Sequence, residues 1–100
     1  MKVVFTALAV DELRDAQAFH EMEFAGLGAR FRDEVRATID RIVAHPDAWQ
    51  VERAEVRRCL LPRFPYKLLY SIEPDHILII AVAHQHRRPD YWVDRVGSGE

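Results

Sequence analysis

The stretch HILIIAVAH, residues 76–84, is apolar throughout between its two histidines. A strand of that kind has no polar face to give to water, so it sits centrally in a sheet or is covered on both sides. A chain of 100 residues buries roughly two-thirds of its unfolded surface, enough for one core, and this strand must run through it. The rest of the chain has to supply its neighbours and its cover. EPD (73–75) is turn chemistry and joins YKLLYSI (66–72) to the apolar run as a hairpin. PRFP (62–65) separates that pair from EVRRCLL (55–61), a further stretch rich in β-formers.

The first half of the chain has the other period. KVVF (2–5) is short, β-branched and aromatic, a first strand. Thr6 can cap a helix, with Asp11 and Glu12 in its early turns where the helix dipole favours acids. Leu8 or Ala9, Leu13, Ala16 and Phe19 then recur at helical spacing. AGLG (25–28) stops one helix and starts another. From Ala29, Phe31, Val35, Thr38 or Ile39 and Ile42 form one stripe, with Arg30, Asp33, Glu34, Arg36, Asp40 and Arg41 opposite, and Pro46 ends the run. Two helices joined so tightly form an antiparallel hairpin. The order β-α-α-β-β-β predicts an α+β fold of two layers, the hairpin packed on a small, mostly antiparallel sheet. One domain is expected over residues 1–96, with a helical turn started by Pro89 and a frayed tail at GSGE (97–100).

Composition excludes several classes. An apolar fraction of 49% with ten aromatic residues argues against disorder. The single cysteine, Cys59, lies in an apolar run and reads as a buried, inert thiol. No window approaches the roughly 20 apolar residues of a membrane span, and Asp11 and Glu12 interrupt the apolar N-terminus, so a cytoplasmic protein is expected. The net charge of −2 gives no general attraction to nucleic acid. Residues 1–50 carry six Lys/Arg against nine Asp/Glu and residues 51–100 eight against seven, so any anion-binding surface is local.

That surface is sought in AVAHQHRRPDYW, residues 81–92, where the apolar strand ends in cations and aromatics. Arg87 and Arg88 repel each other unless a bound anion, or a neighbouring carboxylate such as Asp90 or Asp94, relieves them. His84 and His86 stand two apart, but without a cysteine or carboxylate triad no metal site is read. Arg57 and Arg58 alternate on a strand, so one faces solvent, and Lys67 follows the same logic. Phe64 and Tyr70 read as sheet packing. Trp92 reads as a closure of the core's open end.

Several of these segments resemble, in order, the RelE/ParE superfamily. They are A-V-D-E-L in the first helix, G-L-G-A-R-F opening the second, HP after it, RFPYKLLY on the middle strand and H-x-x-R-x-P-x-Y-W after the last. The likeness spans about residues 2–95. It implies the fold already read and membership of the toxins of type II toxin–antitoxin modules, many known as plasmid stabilisation proteins. Two activities share that scaffold. A RelE-like ribonuclease cutting mRNA on the ribosome would draw its base, phosphate cations and proton donor from Arg58, Lys67, His84, Arg87 and Tyr91. A ParE-like poison of DNA gyrase needs no catalysis, and Arg57, Arg63, Arg88 and Trp92 would face the target. Lys67 where ribonuclease members often carry arginine, the acidic net charge and the Pro89–Trp92 ending favour the gyrase poison. A non-toxic, partner-binding domain of the same fold is a third reading. The resemblance also implies a cognate antitoxin and a toxin–antitoxin hetero-oligomer, without metal or cofactor. Phe19, Met22, Phe24 and Leu27 exceed what one helix stripe needs and are the expected antitoxin surface.

Overall fold

The structure, a computed structural model, describes residues 1–96; the tail expected at 97–100 lies outside the described residues. Strand β1 (Lys2–Phe5) leads into helices α1 (Ala7–Glu23) and α2 (Leu27–Ala44). Strands β2 (Val51–Arg53), β3 (Val56–Leu60), β4 (Tyr66–Ile72) and β5 (His76–His84) follow, and a 3₁₀ turn, Val93–Arg95, closes the described chain. The sheet order is β1-β5-β4-β3-β2, with β1 parallel to β5 and every other pairing antiparallel. The expected two-layer α+β architecture is present, and the apolar run lies inside the sheet with cover on both faces.

Helix α1 begins where Thr6 Oγ1 accepts the Ala9 amide at 3.1 Å. Its inward set is Ala9, Leu13, Ala16 and His20, while Leu8 and Phe19 are exposed. Ala9, Leu13 and Ala16 belong to the expected stripe, and only its last position differs, His20 taking the place expected for Phe19. The two alanines let the helix lie close, and α2 comes closer still at Gly28, where an added Cβ would stand 2.7 Å from the Gln17 carbonyl oxygen. Helix α2 buries Gly28, Phe31, Val35, Thr38 and Ile42, the stripe read from the sequence. It starts at Leu27 rather than Ala29. Gly26 takes φ +88° at the cap, a region open to glycine. The Glu21 carboxylate then accepts the Gly26 and Gly28 amides at 2.9 and 3.0 Å, supplying a cap from the preceding helix.

Strand β2 was not expected. It is three residues long and joins β3 through Ala54, which takes φ +54°. In β5 the register shifts: Leu69 opposes Ala81 and Tyr70 opposes Ile79, leaving Ile80 as an extra residue. Ile77, Ile79 and Val82 therefore face the helices, while Ile80 and Ala81 face away. The main core lies between the hairpin and the sheet. A second, smaller core on the far face gathers Val56, Leu69, Ile80, Ala81 and Trp92, with Tyr91 and Val93 against it. The chain after β5 is thus a partial third layer. Among the described residues no helix is long and apolar enough to cross a membrane.

Candidate functional site

Two carboxylates organise the cations at the end of the sheet. Glu12 in α1 is the first. Beyond Thr6, whose amide still donates to Ile79, β1 no longer accompanies β5. Glu12 Oε1 there accepts the Val82 amide at 2.9 Å, standing in for the missing strand. The same carboxylate takes Arg95 in a fork, Nη1 at 2.9 Å and Nη2 at 2.8 Å, and accepts the Tyr91 hydroxyl at 2.7 Å. Arg95 Nη1 also donates to the Ile80 carbonyl at 3.0 Å, so the bulge is satisfied by a side chain. Arg87 stacks on the Tyr91 ring at 3.8 Å from its centroid, 3.9 Å from Glu12 Oε2. Burial alone would raise the Glu12 pKa; Arg95, Tyr91 and the Val82 amide outweigh it and hold the carboxyl below its ordinary range. Burial, and then Glu12 itself, push the Tyr91 phenol well above its ordinary value. Near neutrality Tyr91 therefore stays a protonated phenol donating to Glu12.

Glu52 in β2 is the second organiser, on the face away from the helices. It pairs with Arg58 at 3.0 Å and with Lys67 at 2.8 Å. Burial works against its charge, but the two cations prevail and lower its pKa. Four of the expected site residues, Lys67, His84, Arg87 and Tyr91, line one narrow cleft with Glu52 and approach it from different faces of the sheet. Arg58 and Lys67 share one acid on the outer face. His84 lies on the inner face, 5.0 Å from the Tyr66 ring, and its Nδ1 accepts the His86 amide at 3.0 Å. Arg57 belongs to the inner face as well, where its Nη1 binds the Asp47 and Trp49 carbonyls at 3.3 and 2.6 Å. It fixes the loop after α2, beside the Tyr70 hydroxyl that donates to the Pro46 carbonyl.

Trp92 is 3% exposed and fills the second core, so its ring is packing rather than a recognition surface. Asp90 relieves Arg53, at 2.8 Å, rather than the Arg87/Arg88 pair. Arg63 and Arg88 are exposed. Met22 is 88% exposed, Phe24 66% and Phe19 55%, an apolar knob at the end of α1, and Leu27 is half-buried beside it. Sequence reasoning missed Glu12, Glu52 and Arg95 as organisers and His20 as a core residue. The one available signal was Glu12's place inside the A-V-D-E-L segment.

Residues 3–89 match the family described as ParE toxin of type II toxin-antitoxin system, parDE. The match covers most of the chain, which therefore belongs to the ParE toxin family. Among solved structures, the chain is similar to one described as "Chromosomal ParDE TA system from P. aeruginosa", at 21% identity and a TM-score of 0.69. That alignment covers 84% of this chain and 95% of the other, and at such identity the likeness shows the fold. Comparison with curated proteins finds no match.

Proposed function

We propose that this ParE-family toxin acts as an inhibitor of DNA gyrase rather than as a ribonuclease, and that a cognate antitoxin neutralises it. One observation carries the choice: the cations and the hydroxyl a ribonuclease would use are already engaged by the protein's own carboxylates. Arg58 and Lys67 neutralise Glu52, and Tyr91 donates to Glu12. General acid–base cleavage needs a base, a phosphate clamp and a proton donor converging on one reacting phosphate. The arrangement here supports a scaffold for binding instead. Of the expected target-facing residues, Arg63 and Arg88 are exposed and available to a target. The Phe19, Met22 and Phe24 knob is the surface offered to the antitoxin, an apolar protrusion that a monomer leaves unburied.

Purified toxin should block supercoiling by gyrase and accumulate cleaved DNA in a reconstituted reaction. Induction in cells should give filamentation without codon-linked mRNA cuts by primer extension. Cuts on ribosome-bound mRNA with gyrase unaffected would replace this reading with the ribonuclease one; neither effect would leave a partner-binding domain.

A further inference from the structure

Two features adjoin at the turn between the helices. The first is the apolar knob of Phe19, Met22 and Phe24 at the end of α1. The second is a groove of about 720 Å³ between α2 and the loop joining β3 to β4, lined by Leu27 from α2 and by Pro62 and Phe64 from the loop. The Leu27 amide donates to the Phe24 carbonyl at 3.0 Å, so knob and groove share one piece of backbone. The buried His20 ring joins them, 5.4 Å from Phe19 and 5.1 Å from Phe64 between centroids. Glu34 Oε2 accepts the Arg63 amide at 2.6 Å and ties the loop to α2. Protrusion and hollow therefore form one preorganised surface.

A protrusion beside a hollow suits a two-fold pair, because a half-turn can set each knob over the other copy's groove. The areas agree with that arrangement. At about 200 Å² for a large apolar side chain, the exposed parts of Phe19, Met22 and Phe24 come to roughly 400 Å². One knob covered by one groove removes about 800 Å², no more than an incidental contact, whereas two such contacts remove about 1,600 Å², the size of a stable interface.

Charge sets the pairing. The stretch Phe19–Phe24 carries Glu21 and Glu23 and no lysine or arginine. Glu21 is turned back to the Gly26 and Gly28 amides, while Glu23 is exposed. The groove is lined by Arg30, Arg41 and Arg63 against Asp33 and Glu34, an excess of one positive charge. Among the described residues neither Glu23 nor the exposed Arg30 has an oppositely charged group within 4.0 Å. Knob against knob would set Glu23 against Glu23; knob in groove sets it toward Arg30.

We propose that a second copy of this chain covers this face, in a two-fold pair in which each apolar knob enters the other copy's groove and each Glu23 meets the other copy's Arg30. The apolar side chains supply the buried area, and the two ion pairs fix the register. Because the pair uses the knob, it and any other partner of the knob exclude one another.

Neither gyrase nor an antitoxin enters the test, which needs the full chain alone. Sedimentation equilibrium from about 1 to about 100 μM should show the mass rising from 11.7 kDa toward twice that value. Glu23→Arg and Arg30→Glu, each by itself, should weaken association at least about tenfold, since like charges then face each other. Mixed in equal amounts, the two variants should pair as the wild type does, because both knob–groove contacts of the mixed pair again join opposite charges. Met22→Ala/Phe24→Ala should also weaken association at least about tenfold through lost apolar contact. Circular dichroism of each variant should match the wild type, since all four residues are exposed. A wild type that stays at 11.7 kDa across the range would overturn the proposal. A dimer indifferent to Glu23→Arg and to Met22→Ala/Phe24→Ala would overturn it too, the copies then meeting elsewhere. So would a mixture of the two charge variants that stays monomeric.

Discussion

Replacing Glu12 by Gln keeps the shape of the side chain and removes the charge that holds the C-terminal layer down. The glutamine oxygen can still accept one or two of the bonds from Val82, Tyr91 and Arg95, but its amide group must face a guanidinium. Glu12 and Arg95 are 15% and 13% exposed, so the pair is largely shielded without being sealed. Breaking a buried ion pair costs about 3–5 kcal/mol, and residual exposure places this one near ~3 kcal/mol. At about 4–8 °C per kcal/mol for a domain of this size, the melting temperature should fall on the order of 12–24 °C. The pH dependence identifies the cause. The Glu12 carboxyl titrates below its ordinary 4.5 in the folded protein. Its stabilisation is therefore complete above that ordinary value and lost as pH falls through the lower, folded one. Urea unfolding should show a constant gap between wild type and Glu12→Gln from about pH 8 to about pH 5, closing below. Arg95→Gln in a double-mutant cycle should give a coupling of at least ~1 kcal/mol. A gap under ~1 kcal/mol near neutrality, or one that persists unchanged at about pH 3, would refute the argument.

Two further predictions concern the frame that carries these surfaces. Gly28→Ala should destabilise by about 1–2 kcal/mol despite alanine's better helix propensity, because its Cβ would meet the Gln17 carbonyl oxygen at 2.7 Å; equal or greater stability in urea would show that the helices can part freely. Burial pushes the Tyr70 phenol up to about 12 from an ordinary 10.0. The stability contributed by its neutral form is present below pH 10 and lost as pH rises toward 12, about 3 kcal/mol in all. Tyr70→Phe should lower stability by about 1–2 kcal/mol near neutrality by orphaning the Pro46 carbonyl, and should lose less than the wild type between about pH 9 and 11. A wild-type alkaline limb as flat as the variant's would count against the buried hydroxyl.

What could be read from residue order alone follows from how local each signal is. HILIIAVAH demands burial on both faces wherever it lies, and β5 is inside the sheet with a core on either side. The Phe31, Val35, Thr38 and Ile42 stripe likewise needs nothing beyond its own helix. β2 has no such signature: Val51 and Arg53 are exposed, and the strand exists because β3 offers it an edge. The inward face of α1 was read through Ala9, Leu13 and Ala16 and missed only at its end, where the polar His20 is buried and the larger Phe19 points outward. The start of α2 depended on Glu21, an exposed acid reaching forward to the next helix.

The site was legible in its residue types and illegible in its pairings. Glu12 reads locally as an early-turn acid favoured by the helix dipole, yet its partner Arg95 is 83 residues away and meets it only because β1 ends early and Ile80 bulges. Glu52 sits in a strand that had no pattern to announce it, and it takes two of the cations that a phosphate would need. A count of arginines and lysines around a sheet end cannot separate a phosphate clamp from a face already neutralised from within. The charge open to a partner is the remainder after the protein's own carboxylates are assigned. Among the described residues it includes the exposed Arg63 and Arg88, so recognition by this toxin should be more sensitive to charge at those two positions than at Arg58 and Lys67, which Glu52 already answers.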